Sequence, residues 1–266
     1  MSTDKGWQQM AEEGNLGGFP VILLAETGST NEVAMDLAGK GAEVYTVVVA
    51  ESQTGGRGRL GKSWQSPPGT GLYFSVILQP EISPEDLPKI TLAAGLAVAK
   101  ALETATTFSF GIKWPNDLIL NDRKLGGILC EMSGMQGGGR SSVILGIGLN
   151  INSPMSVFAQ GLKGKATSLL IATGSEHCRS TLLQAILLEI KNTVALFEEE
   201  GFDPILSEWR RRDVTFGREL SWVTQAGEIV RGVSLGPDDN GQLLIRDQKD
   251  RIHEVLSGDI NITRES

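Results

Sequence analysis

The sequence predicts an α+β protein in two parts, a larger domain over residues 1–212 and a small β-barrel over residues 213–266. Three observations predict it. Strand-like and helix-like segments alternate from Val21 onward, with the helices gathered against an antiparallel or mixed sheet. Near Asp213 the texture changes to short strands, LSWVT, EIVRGVSL, QLLIRD and RIHEVLSG, separated by turn signals such as Asp239-Asn240-Gly241. A length of 266 residues is too great for one minimal module, and 40% hydrophobic content is enough for a sizeable core.

The first strand is Val21 to Leu24. In GSTNEVAMDLAGKG, Ser29 and Glu32 spell a capping box, Val33 and Leu37 share a face, and Gly39 or Gly41 ends the helix. Tyr45 to Ala50 reads as a buried strand. Gly55, Gly56, Gly58, Gly61, Gly69 and Gly71, with Pro67 and Pro68, exclude a regular element from residues 51–71. A long flexible loop is expected there, of a kind that often carries function. Leu72 to Leu78 returns as a strand. The next helix takes Ser83 as N-cap and Pro84 at its first position, and its Ala and Gly content lets it pack closely on a sheet. From Phe108 a strand leads through Pro115 into a hairpin, with Leu118 to Leu120, a turn at Asn121 to Arg123, and Leu125 to Met132. Ser142 to Ile151 is another apolar strand. A helix from Thr181 to Glu200 sets Leu183, Leu187, Ile190, Val194 and Phe197 on one stripe, and Asp203-Pro204 opens a shorter one.

Composition narrows the function. The net charge of −8 repels a nucleic-acid backbone, so no nucleic-acid partner is expected. Cys130 and Cys178 have no CxxC spacing, and His177 and His253 are the only histidines, which sets aside a structural zinc site. The polar start MSTDKGWQQMAEEG lacks a basic-then-apolar pattern, and no stretch reaches the roughly 20 apolar residues of a membrane span. A cytoplasmic protein without a membrane partner is expected.

The segment QTGGRGRLGKSW, Gln53 to Trp64, admits three readings. Gly56, Gly58 and Gly61 fit G-x-G-x-x-G, but that fingerprint requires a helix immediately after it, which Pro67-Pro68-Gly69 forbids. Gly56 through Ser63 spells G-x-x-x-x-G-K-S, yet a phosphate-cradling P-loop requires a long helix starting at the Lys, and only Ser63 to Ser66 has room to be helical. In the third reading Arg57 and Arg59 form a mobile clamp for an anionic nucleotide, their guanidinium forks matching phosphate and carboxylate geometry. A solvated basic loop is the bland competitor, and the loop alone does not separate the two.

Motifs along almost the whole chain separate them. STN at Ser29 to Asn31, AESQTGGRGRLGKSW from Ala50, KWPNDL from Lys113, RKLGGIL from Arg123 and GIGLNIN from Gly146 occur in the order in which they occur in the biotin protein ligases, and the chain resembles that family. The resemblance implies a class II aminoacyl-tRNA-synthetase-like catalytic domain of the biotin/lipoate ligase type, followed by a C-terminal SH3-like β-barrel. It implies ATP and biotin as substrates, Mg²⁺ as cofactor, a biotin carboxyl carrier protein as acceptor, and a homodimer. Some members carry an N-terminal DNA-binding domain, for which the segment before Val21 is too short, so a repressor role is not expected. A lipoate ligase and a catalytically idle binding module on the same fold are the rival readings.

By the same resemblance Ser29, Thr30, Asn31 and Gln53 contact the biotin ring, whose ureido group offers two N–H donors and one carbonyl to hydroxyls and amides. Arg57, Gly58 and Arg59 close over biotin and the adenylate. Gly126 and Gly127 let biotin approach the sheet. Trp64, Lys113, Asn116, Asp117 and Asn150 fall on the nucleotide side, with Asp117 the candidate magnesium ligand. Lys124 contacts both the biotin carboxylate and the α-phosphate. Arg57 and Lys124 are the candidate catalytic residues, because two anions must meet and charge neutralisation with positioning does most of the work. Ser29 also fits a plain helix cap, Gln53 a surface loop residue, Trp64 ordinary packing and Lys124 a solvated hairpin residue. Trp114-Pro115 reads as structural.

Overall fold

The computed structural model describes residues 5–133, 142–223, 229–256, 258 and 260–262. Eight strands form one sheet: β1 (Asn15–Leu16), β2 (Phe19–Thr27), β3 (Val47–Gln53), β4 (Gly71–Leu78), β5 (Gly111–Lys113), β6 (Asp117–Leu120), β7 (Arg123–Met132) and β8 (Val143–Asn150). Their order is β1-β2-β3-β4-β8-β7-β6-β5. β2 and β3 run parallel, and every other neighbouring pair is antiparallel, which makes the sheet mixed.

Helices cover both faces, so β4 is buried along its whole length and reads as an unbroken apolar run apart from Ser75. On one face lie α1 (Lys5–Glu13), α3 (Ile90–Thr106), α5 (Arg179–Glu200) and α6 (Asp203–Arg210), packed over Phe74, Val76, Leu145, Ile147 and Leu149. Large side chains such as Trp209 and Ile190 are lost from water there, each burial contributing about 1.5–3 kcal/mol. On the other face α2 (Thr30–Gly39) sets Ala34 against Val48, Ile77 and Ile144. α4 (Leu169–Thr173) is one short turn, capped by the Ser168 hydroxyl. Among the described helices α5 is the one long and apolar enough to cross a membrane, but its stripe from Leu183 to Phe197 is buried in the core.

Several sequence expectations change in detail. The helix expected from Ser83 begins at Ile90 instead, because Pro88 has no N–H for an α-helical turn; a 3₁₀ turn at Leu87–Lys89 precedes it. Ser29 does occupy the N-cap of α2, yet its side chain makes no cap bond. The Gln53 carboxamide caps this end at another donor: its Oε1 accepts from the Thr30 N–H at 2.9 Å and from the Thr30 hydroxyl at 3.2 Å. Helix α1, with Trp7 and Met10 buried, and the short α4 were not expected. The β6–β7 turn is tighter than expected, with Asn121 and Asp122 both at positive φ as a two-residue hairpin of the I′ kind requires.

The C-terminal strands β9 (Glu219–Val223), β10 (Ile229–Pro237), β11 (Leu243–Asp247), β12 (Ile252–Val255) and β13 (Ile260–Ile262) form an antiparallel sheet of order β12-β11-β10-β9-β13. This agrees with an SH3-like unit, although no pairing among the described residues joins β12 to β13. Thr224, Glu228 and Ser257, expected at strand ends, lie outside the described residues. The unit is tied to the large sheet where the Ile112 N–H donates to Arg212 O and the Val214 N–H to Ile112 O, and where Trp114 Nε1 donates to Gly241 O at 2.9 Å.

Candidate active site

Beyond the N-terminus of α2 the face that this helix covers is left open, and a cleft of about 830 Å³ occupies it. Its floor is backbone. On β8 the residues facing α2 and the cleft run Ile144, Gly146, Gly148, Asn150, so an apolar residue under the helix gives way to glycines where the cleft begins. Those glycines are required by their neighbours. A Cβ at Gly146 would lie 2.0 Å from Asn31 Oδ1, and one at Gly148 would lie 2.5 Å from Trp64 Nε1.

At the α2 end the side chains are uncharged hydrogen-bonding groups. Ser75, buried on β4, donates to Asn31 Oδ1 at 2.6 Å, and its hydroxyl oxygen lies 2.8 Å from Thr30 Oγ1. Asn31 Nδ2 donates to Glu131 at 2.7 Å, and Gln53 Nε2 donates to the Ser66 hydroxyl at 2.9 Å. Ser29, Thr30 and Asn31 are buried, fixed before any ligand arrives.

The glycine-rich segment crosses this end as a folded-back hairpin, with the Gly58 N–H bonded to Lys62 O and the Trp64 N–H to Gly56 O. Arg57 lies over the cleft, 3.2 Å from Glu131 and 3.8 Å from Glu32. Among the described residues no long helix follows Lys62: the chain passes from the 3₁₀ turn at Arg59–Gly61 to β4, and the P-loop reading falls.

A β-bulge aims the key lysine. Leu118 pairs with Gly126 but Ile119 pairs with Lys124, so Leu125 is an extra residue on β7. Strict alternation from Gly127 would put Leu125 on the cleft face and Lys124 on the core face; the bulge exchanges them, burying Leu125 completely. Lys124 Nζ reaches Asp117 at 2.6 Å and lies 5.6 Å from the Trp64 ring centroid. Its backbone is held by the Lys124 N–H to Lys165 O and the Thr167 N–H to Lys124 O. A Cβ on Gly127 would stand 3.5 Å from Lys124 Nζ, so glycine keeps the floor open beneath the ammonium.

Every residue singled out for biotin or nucleotide contact borders this one cleft, with the exception of Gly126. Gly126 is a packing residue, since its Cβ would meet Leu149 Cδ2 at 2.4 Å and Gly148 O at 2.6 Å. Two others divide their labour: Asn116 Nδ2 donates to Ile128 O at 2.7 Å and Asn150 Nδ2 to Thr167 O at 3.0 Å, tying loops to the sheet. Ser75 and Glu131, which the sequence did not single out, anchor Asn31 and Arg57; their only signal is alternate placement on the cleft face of β4 and β7. Lys62 and Arg218 also border the cleft.

Charge is concentrated here against the sign of the whole chain. Arg57, Arg59, Lys62, Lys113, Lys124, Lys165 and Arg218 line it against the carboxylates Asp117 and Asp122, a balance suited to a polyanionic ligand. No cluster of three or more metal-ligating side chains exists among the described residues. Cys130 offers no nucleophile, since burial pushes its thiol up to about 11.

The comparisons with known proteins agree with this geometry. Residues 24–150 match the model of the biotin/lipoate A/B protein ligase family. The chain is 38% identical over 245 residues to a bifunctional ligase/repressor from Bacillus spizizenii, covering 92% of this chain and 74% of that protein. It is 32% identical to the biotin–[acetyl-CoA-carboxylase] ligase of Paracoccus denitrificans, over 84% of this chain and 93% of the relative. The structure of the Aquifex aeolicus biotin protein ligase in complex with biotin and ATP superposes with a TM-score of 0.79 at 32% identity, over 92% of this chain and 99% of that one.

Proposed function

Because this chain belongs to the biotin protein ligase family, we propose that its cleft converts biotin and ATP to biotinyl-5'-AMP and transfers the biotinyl group to a lysine of a biotin carboxyl carrier protein. The observation that carries the reading is one cleft lined both by the uncharged hydrogen-bonding side chains Ser29, Thr30, Asn31 and Gln53 and by the cations Arg57 and Lys124. Ser29, Thr30, Asn31 and Gln53 suit a ureido ring, and the Gly127 floor suits a flat ligand lying on a sheet.

In the first step a biotin carboxylate oxygen attacks the α-phosphorus of ATP, and the bond to the bridging oxygen breaks as pyrophosphate leaves. Lys124 and Arg57 stand where they would draw both anions together and take up the charge that builds on the phosphoryl oxygens, the kind of preorganised stabilisation that is worth several kcal/mol. Trp64, Lys113, Asn116, Asn150, Gly58 and Arg59 are assigned to holding the nucleotide and covering the intermediate. In the second step the carrier's lysine amine attacks the acyl carbon and AMP departs. AMP is a good leaving group, so orientation and exclusion of water by the glycine-rich hairpin matter more than a strong base.

Magnesium fits the residues present, since it is usually held by one or two carboxylates plus substrate phosphates, and Asp117 would serve as that carboxylate. Bound there it would neutralise charge on the departing pyrophosphate. A cytoplasmic setting is in keeping with the free thiols Cys130 and Cys178. A homodimer is the assembly to look for by gel filtration with and without biotin and ATP.

The decisive test is exchange of labelled pyrophosphate into ATP with biotin or lipoate as the acid, followed by labelled-biotin incorporation into a carrier domain. Biotin-dependent exchange and labelling are expected. Exchange with lipoate alone would move the assignment to the lipoate branch of the family, and no exchange with either acid would leave a binding module.

A further inference from the structure

We infer that Glu51 and Arg179 are positioning residues that fasten both stems of the glycine-rich hairpin to the core and so hold Arg57 and Arg59 over the adenylate; this rests on the ligase reading above. Arg179 is the first residue of α5 and only 3% exposed. A cation at that helix end opposes the helix dipole, and a guanidinium buried in the interior is costly without full hydrogen bonding, so helix stability does not explain its presence. Its contacts do.

Glu51 stands on β3 just before the hairpin leaves the sheet, and Gly69 and Gly71 stand where the chain returns. Glu51 Oε1 accepts from Arg179 Nη2 at 2.9 Å, and Glu51 Oε2 accepts from Arg179 Nη1 at 3.1 Å and from the Gly69 N–H at 3.2 Å. Arg179 Nη1 also donates to Gly71 O at 3.1 Å. One carboxylate–guanidinium fork therefore clamps the outgoing and returning strands at once. Trp7 of α1 lies over the guanidinium, 4.2 Å from the ring centroid, and closes this side. Neither Glu51 nor Arg179 borders the cleft, so the pair touches no substrate and acts through the hairpin.

Lysine at position 179 keeps the charge but loses the fork, and glutamine at position 51 keeps the shape but loses the charge. The test measures Arg179→Lys, Glu51→Gln and, as a control for general weakening of α5, Val194→Ala. Each is assayed as the full chain for KM of biotin, for escape of adenylate read as labelling of bystander lysines on serum albumin, and for melting temperature. Both clamp variants should raise KM and bystander labelling by about tenfold, the worth of one charge-assisted contact, while Val194→Ala leaves both within about twofold. The proposal is overturned if the clamp variants label bystanders no more than Val194→Ala does.

Hydrogen exchange on the unaltered protein gives a readout that needs no variant. The Gly69 amide should exchange as slowly as those of β4, and exchange at the rate of an open loop would overturn the clamp. A wild type that makes no adenylate at all would sink the ligase reading instead, so the two failures are distinguishable.

Discussion

At the scale of single residues the proposed mechanism places the chemistry on Lys124 and not on Lys62. A P-loop would make Lys62 indispensable, whereas the bulge at Leu125 turns Lys124 into the cleft toward Asp117 and leaves Lys62 on the exposed rim. Lys124→Ala should cost on the order of 10² to 10³ in rate, about 3–4 kcal/mol of transition-state stabilisation, and Lys62→Ala less than about tenfold. Biotin-dependent pyrophosphate release from both variants, side by side and with folding checked, decides it: an inactive Lys62→Ala beside a competent Lys124→Ala would overturn the assignment. Most residues that border the cleft were legible as motif letters. Their anchors were not: Ser75 and Glu131 look like ordinary strand residues, and Glu51 meets Arg179 across a separation of 128 residues that no local pattern encodes. The capping box at Ser29 and Glu32 was misleading because local spacing cannot reveal that Gln53, distant in the chain, caps this helix end at the Thr30 N–H instead.

On the proposed reading, the glycine-rich hairpin is the element that covers the adenylate. The glycines that let it fold back make it entropically costly to fix, so ligand contacts should decide how often it is closed. Limited proteolysis near Arg57 and Arg59 is expected to slow markedly with saturating biotin and ATP. Equal cleavage with and without them would show that the hairpin does not close over ligand. Strongly periodic elements such as β4, β8 and α5 were legible because burial on one or both faces writes itself into composition. Helix α1 was not, since a nine-residue segment with the apolar Trp7, Met10 and Ala11 among polar neighbours carries too little apolar signal. The start of α3 was misread because Ser83 and Pro84 form a plausible cap while Pro88 forbids the helix from running through.

At the scale of the whole molecule, the buried carboxyl of Asp213 should make stability depend on pH. Asp213 Oδ1 accepts from the Thr215 N–H at 2.7 Å and its hydroxyl at 2.6 Å, and burial pushes the carboxyl above its ordinary range. The folded chain thus keeps the proton at a pH where the unfolded chain has lost it, and stability falls as pH rises above the ordinary carboxylate value of about 4. Asp213→Asn removes this titration, so the melting temperature of the wild type should drop relative to the variant as pH rises above about 4. Parallel curves would show that the junction carboxylate does not titrate in folding. The separate sheet of β9–β13 was legible from the change in texture, but the ties to it from Ile112 and Trp114 were not, being contacts between distant segments. Strand β8 has a consequence for whole populations of molecules. Val143, Leu145, Ile147 and Leu149 alternate with the residues of its cleft face and pack into the core. A slip of one residue would swap the faces and plug the cleft with leucine and isoleucine. Misregistered chains would then be silent contaminants rather than careless enzymes, and the specific activity of a preparation would measure the fraction that had paired correctly.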